Sequence, residues 1–350
     1  MILPPSMSYS TAPAKLIVII GITGNQGSSV ASTFLSDPRW KIRGLTRNPD
    51  SAASKALSEK GVQMVVADLH DPVSLKDVFN GANLIFSVTD FWTPYLDPVN
   101  QAKATEQGKS IGRFAYELER EQGRNIADAV ARVVEGLDEV GFVASTLSHA
   151  GKCSKGKYKE LWHFDAKADV FPGYVEEKYP ELARKSSWLQ TGYFFSSWRI
   201  LDCWLGRMPD GSRQMRFPTS PSTIVPHLDA RKDTGPFVKA LLLLPAGKTV
   251  MAASEWCTWP DWIKTWGEVV GVPDCSYKQV TVGDLDKWYP GGIGKEIGEM
   301  YEYSNDPGYD GGEPEVLRTA DLKKMGIEVR ATSLRDYVRS EDWSGVLAAC

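Results

Sequence analysis

The sequence predicts an α/β fold, a doubly wound parallel sheet with a smaller, irregular C-terminal part laid over it. Three observations carry this. Short β-branched runs alternate with longer amphipathic segments from Lys15 to about residue 190, the first run opens into a glycine-rich turn, and beyond residue 193 the composition shifts toward Trp, Pro and Gly. With 350 residues, the chain can form one large or two closely joined domains at about 150 residues each.

Residues 1–14 are rich in Pro, Ser and Thr and lack both a basic start and a long apolar run, so they read as a disordered tail rather than a signal peptide. Strands are expected at 16–20, 41–45, 62–67, 84–88, 141–144 and 186–189, with helices at 26–35, 51–60, 73–80 and 111–137 between them. Each link is long enough for the right-handed crossover that parallel neighbours require. Residues 15–192 are therefore expected to form one sheet domain, and 193–350 a covering part with returns to the core. Residues 91–112 carry Pro94 and Pro98 with Phe91, Trp92 and Tyr95, and read as an elaborated loop or short helix at the carboxyl ends of the strands, where such sheets bind ligands. Residues 148–159, with four lysines, read as a solvated flexible loop, and 291–298 and 306–312 as loop-rich stretches. Further helices are expected at 259–270 and 334–343; in the first, Trp259, Trp262, Trp266 and Val269 share a face and read as core rather than as a substrate box.

Apolar residues make up 42% and charged residues 24%, as in a soluble globular protein. A net charge of −4 argues against direct nucleic-acid or anionic-membrane binding, which needs a broadly basic surface. No run of about 18 apolar residues suggests a membrane span. Five cysteines stand far apart with no CxxC pair, so they read as reduced thiols without a metal, and a cytoplasmic, also nuclear, location is expected.

The first strand runs directly into Gly21-Ile22-Thr23-Gly24-Asn25-Gln26-Gly27 and then into a helix with the small residues Ser28, Ser29 and Ala31. Glycines permit the tight turn and let backbone amides approach a pyrophosphate, whose charge then rests on a helix N-terminus. In this context the loop reads as the dinucleotide fingerprint of a Rossmann domain, with Gly21, Thr23, Gly24, Asn25, Gln26 and Gly27 as cofactor contacts. The second strand ends Gly44-Leu45-Thr46-Arg47-Asn48, with no acid in place to hold a ribose diol. Arg47 can clamp a 2′-phosphate and stack on adenine, while Thr46 and Asn48 offer donors, so NADP(H) is expected over NAD(H). Asp68, just past the third strand, is placed to accept from the adenine amino group, and an ordinary surface-loop role would suit it as well.

Gly-Ile-Thr-Gly-Asn-Gln-Gly at 21–27, Thr46-Arg47-Asn48-Pro49, Val88-Thr89-Asp90-Phe91-Trp92, Glu121-Gln-Gly-Arg-Asn-Ile-Ala-Asp128 and His163-Phe164-Asp165-Ala166-Lys167 occur in that order. Together they resemble the NmrA-like branch of the atypical short-chain dehydrogenases. The likeness runs over about residues 15–345, with 95–117 resembling an insertion. It implies a Rossmann core, NADP binding, and Thr89, Thr191, Gly192 and Tyr193 as further cofactor neighbours. It also implies two different uses: redox sensors that bind regulatory proteins with little turnover, and reductases, including enzymes of fungal secondary metabolism. Fold alone does not choose between them.

Short-chain dehydrogenases pair a proton-donating Tyr with a Lys four residues on. Here the Lys position resembles Lys167, and His163 stands where the Tyr would be. Residues four apart share a helix face, and a histidine exchanges protons near neutral pH. Either His163 or Lys167 acts as general acid or base, or Lys167 only holds the nicotinamide ribose while His163 packs in place. Tyr193 is a second candidate donor. Ser145, Thr146 and Ser148 follow the fifth strand, where any one of them could orient a substrate, though a cluster of hydroxyls there is equally a turn. Trp92 is the aromatic expected in the pocket.

The preferred expectation is an NADPH-dependent reductase of a small, flat, aromatic or polyketide-type carbonyl or imine compound. The alternatives are an NADP(H)-binding redox sensor with a regulatory protein partner and no turnover, and a non-redox isomerase or cyclase.

Overall fold

The computed structural model describes residues 13–200 and 204–348; the expected tail up to residue 12, Cys203 and Cys350 lie outside the described residues. β1 (Lys15–Ile19) turns into α1 (Asn25–Leu35), followed by β2 (Trp40–Thr46), α2 (Ala52–Glu59), β3 (Gln63–Val66) and β4 (Leu84–Ser87). Two short helices, α3 (Trp92–Leu96) and α4 (Pro98–Glu106), precede the long α5 (Ile111–Val130), and β5 (Phe142–Thr146), α6 (Ala150–Cys153), α7 (Trp162–Ala168) and β6 (Ser186–Thr191) complete the series. The caps explain several starts: Ser51 accepts from the Ser54 amide, Asp97 from that of Val99 with Pro98 in the first turn, and Ser110 from that of Arg113.

All neighbouring strands of the seven-stranded sheet are parallel, in the order Thr249–Ala252, β6, β5, β4, β1, β2, β3. This is a Rossmann-like α/β fold, and the winding reverses between β1 and β4. Strand side chains alternate between the two faces as a pleat requires. Ile17 and Ile19 join Phe34 of α1 and Phe237 and Leu241 of the helix Thr234–Leu241 on one face, and Val18 and Ile20 join Ile126 and Val130 of α5 on the other. The strand Thr249–Ala252 comes from the C-terminal part, so that part is stitched into the main sheet.

Residues 73–80 do not form the expected helix; they are turns. Asp71 accepts from the Val73 amide, and Ser74 donates to the carbonyls of Asp68 and Asp71, so short polar side chains offer the backbone an alternative to the helix ladder. Leu75 and Phe79 still pack into the core. Residues 291–298, expected as loop, begin the helix Ile293–Tyr303. Its Gly294 marks a close approach rather than a turn, since a Cβ there would lie 2.2 Å from the carbonyl oxygen of Leu285.

The C-terminal part packs around aromatic rings. Trp259, Trp262 and Trp266 are each 0% exposed, and Val269 is half-buried against the same cluster, so the stripe is core. Trp204 meets Trp262 edge-on at 5.5 Å between ring centroids. Trp262→Ala is therefore expected to cost about 3–5 kcal/mol, against under about 1 kcal/mol for Val269→Ala, as read from urea unfolding midpoints. Equal costs for the two would place the packing elsewhere.

Candidate functional site

A cavity of about 1130 Å³ opens at the carboxyl ends of the strands, where the winding reverses. It runs from Thr46, Arg47 and Asn48 at the end of β2, over the turn at 21–27, to a chamber lined by Trp92, His163, Lys167, Tyr193, Trp204 and Tyr301. Gly21 sits at φ +66°, and a Cβ there would meet Val88 at 2.8 Å. At Gly27 a Cβ would stand 2.2 Å from the Gly21 carbonyl oxygen, so only glycine lets α1 begin this close to β1. Gly24, exposed at the helix start, leaves the amides of Asn25, Gln26 and Gly27 without carbonyls one turn earlier to bind. No acid stands in that first turn, so the helix end favours an anion. Gln26 Oε1 is buried there without a hydrogen-bond partner.

At the β2 end, Thr46 Oγ1 donates to the Asn48 carbonyl and accepts from the Asn48 amide, shaping the turn that leaves Arg47 exposed in the cavity wall. Asp68 also lines the cavity, with Oδ1 accepting from the His70 amide at 2.9 Å. Thr23, Thr89, Thr191 and Gly192 line it as well, Gly192 with its backbone pressed against Pro226.

Lys167 projects from α7, and its Nζ donates to the Thr89 carbonyl at 3.0 Å and to Glu119, while Thr89 Oγ1 donates to the same Glu119 oxygen at 2.6 Å. His163, one turn earlier, is 4% exposed. Both its amide and its Nδ1 reach Glu296 Oε1, at 2.9 and 2.6 Å. With Nδ1–H held by a carboxylate, Nε2 is the ring atom left for other work; it lies 3.3 Å from Met300 Sδ, and Trp92 packs against the ring at 5.0 Å. Glu119 and Glu296 were not among the sequence candidates. Glu119 falls on the buried face of α5 between Tyr116 and Gln122, a readable signal; Glu296 lies on the helix taken for loop.

Of the three hydroxyls, Ser145 and Thr146 at the end of β5 and Ser148 beyond it, Ser145 is the one that lines the cavity. Thr146 donates to the Phe171 carbonyl at 2.6 Å, and Ser148 is tied to Tyr303 and to the Tyr309 carbonyl. The Tyr193 ring lines the chamber, but its hydroxyl points into the helix Ile293–Tyr303, reaching the Met300 carbonyl and Ser304. Burial lifts that phenol well above its ordinary range, which disfavours Tyr193 as the donor.

Residues 148–159 contribute more than a solvated loop. His149 lies between Asp165 and Asp169 at 2.9 and 3.2 Å, and the Tyr116 hydroxyl donates to Asp169. Burial opposes the charged ring, but the two carboxylates outweigh it and raise His149 to about 9; likewise burial is outweighed at Asp169, which His149 and Tyr116 hold at about 2. This network ties α7 to α5 behind Lys167. Cys153, Cys257 and Cys275 are free thiols; among the described residues no cluster of three or more His, Cys, Asp or Glu could hold a metal, and no helix is long and apolar enough to cross a membrane.

The NmrA-like family matches residues 13–343, and the chain belongs to it. It is 44% identical over 148 residues to the NmrA-like family domain-containing oxidoreductase hkm9 of Aspergillus hancockii, covering 42% of this chain and only 38% of that protein's length. A longer match, 25% identical over 288 residues and 76% of each chain, is to the oxidoreductase FrzB of a Cladobotryum species. Among solved structures, NmrA, a negative transcriptional regulator, in complex with NADP superposes with a TM-score of 0.67 at 16% identity over 94% of this chain and 95% of that one.

The His149 network implies a pH-dependent stability. Its folded value of about 9 lies above the ordinary 6.5, so the contribution is whole below pH 6.5 and lost as pH rises through 9. His149→Gln is expected to lower stability by about 1–2 kcal/mol at pH 6, after allowing for solvent screening, and by much less at pH 10. Denaturant melts at the two pH values check this, and a pH-independent loss would refute it.

Proposed function

We propose that this protein binds NADP(H) along the cavity and reduces a small, flat carbonyl or imine compound in the aromatic chamber. The observation that carries the reading is His163, whose Nδ1 is held by the buried Glu296 within an aromatic wall. The residues suit the cofactor: the open first turn of α1 for the pyrophosphate, and Arg47 at the end of β2 for a 2′-phosphate. The relatives named as oxidoreductases, and the NADP complex of NmrA, support it.

When bound, the cofactor supplies a hydride. Lys167, already fixed by Thr89 and Glu119, would hold the nicotinamide ribose. His163 would give a proton from Nε2 to the developing oxyanion or amine nitrogen, while Glu296 fixes the ring through Nδ1. Ser145 is placed to orient the substrate's polar atom, and Trp92, Trp204 and Tyr301 favour a flat apolar body.

Two measurements test this. By calorimetry NADPH should bind at least about tenfold tighter than NADH, with the preference lost in Arg47→Ala, since a charge-assisted pair is worth about 1.5–3 kcal/mol. Equal affinities would overturn the cofactor choice. In a screen of aromatic quinones, ketones and imines, NADPH oxidation by the best substrate should fall by about 10²–10⁴ in His163→Phe, with NADPH affinity little changed. If no compound drives oxidation and NADPH and NADP⁺ instead alter affinity for a protein partner by different amounts, the molecule is a sensor.

A further inference from the structure

Lys167 and Glu119 form an ion pair in which neither member is free to move. The lysine side chain is 13% exposed and the glutamate 1%. Thr89 braces both, its carbonyl accepting from Nζ and its hydroxyl donating to the carboxylate. Lys167 and Thr89 face the cavity; Glu119 stands behind them on α5, and its second oxygen is buried without a partner. A fully buried carboxylate with an unsatisfied oxygen is costly, and the cation that offsets its charge is Lys167. Water and salt screen such a pair little.

The other ionic pairs near the chamber do not substitute for it. Glu296 lies one helical turn away and is engaged by the His163 amide and ring, and Arg47 is at the opposite end of the cavity. Asp90 also lines the cavity beside Thr89, but the carboxylate that meets the Lys167 ammonium directly is Glu119.

We infer that Glu119 is the counter-ion that keeps the Lys167 ammonium from disfavouring the oxidised cofactor. This rests on the reading that the nicotinamide is received at the Lys167 end of the cavity. The oxidised nicotinamide carries a positive charge and the reduced one carries none, so a net charge here acts on one redox form only. With Glu119 ionised, the ammonium is neutralised and NADP⁺ is tolerated. Without it, an uncompensated cation repels the positively charged ring of NADP⁺ and exerts no such repulsion on the neutral ring of NADPH. Glu119 thus acts as a positioning and charge-setting residue, reaching the cofactor through Lys167 rather than by touching it.

The test is the ratio of the NADP⁺ and NADPH dissociation constants, measured by calorimetry on the full chain, with thermal melting to establish that each variant folds. In Glu119→Gln, which keeps an acceptor for Lys167 but removes the charge, the ratio of NADP⁺ to NADPH dissociation constants should rise by about fivefold or more. Lys167→Met leaves the carboxylate alone and should move the ratio the opposite way, so the sign is readable even if one variant does not fold. A merely structural role would weaken both forms alike, and an unchanged ratio in the folded variants overturns the inference. Failure of the wild-type chain to bind either form overturns the cofactor reading itself, and the present inference with it.

Discussion

The arrangement depends first on the reversal of strand order between β1 and β4. Parallel strands with right-handed crossovers must send successive helices to opposite faces once the direction of winding changes. At the carboxyl ends this leaves a crevice that no crossover covers. The turn after β1 opens into that crevice, and α1 starts there because Gly27 admits the Gly21 carbonyl at a distance no side chain would allow. A helix end, with its unpaired amides, is thereby held where the cavity opens.

Around this frame, α7 is fixed by acids rather than by apolar packing alone. Glu119 reaches it from α5, Glu296 from the helix Ile293–Tyr303, and its own Asp165, with Asp169 just beyond, is tied to His149. A seven-residue helix has little intrinsic stability. The His163 and Lys167 side chains owe their orientation to these contacts, which is the pre-organisation that the roles proposed for them require.

The C-terminal part serves a different purpose. It supplies few ionic groups to the chamber and many rings, and it is anchored to the main sheet through Thr249–Ala252. Trp204, Tyr301 and Tyr309 belong both to its core and to the cavity wall. The shape of the chamber is thus continuous with the stability of the covering part, so substitutions at these positions draw directly on packing energy.

The sheet was legible because its signals are local. A run such as Leu16-Ile17-Val18-Ile19-Ile20 carries its own β propensity, the glycines at 21 and 27 mark one turn, and Arg47 differs from an acid by its own chemistry. The helix expected at 73–80 failed where Asp71 and Ser74 compete for the backbone, and the helix Ile293–Tyr303 was missed because a glycine that permits close packing looks, in one dimension, like a glycine that permits a turn. The sequence by itself determined the strand series, the glycine turn at 21–27 and the His163–Lys167 spacing. Only the tertiary structure decided which acids face that pair: Glu119 and Glu296 lie 48 and 133 residues from their partners, and pairings across such separations are set by the packing of whole helices, which no local pattern encodes.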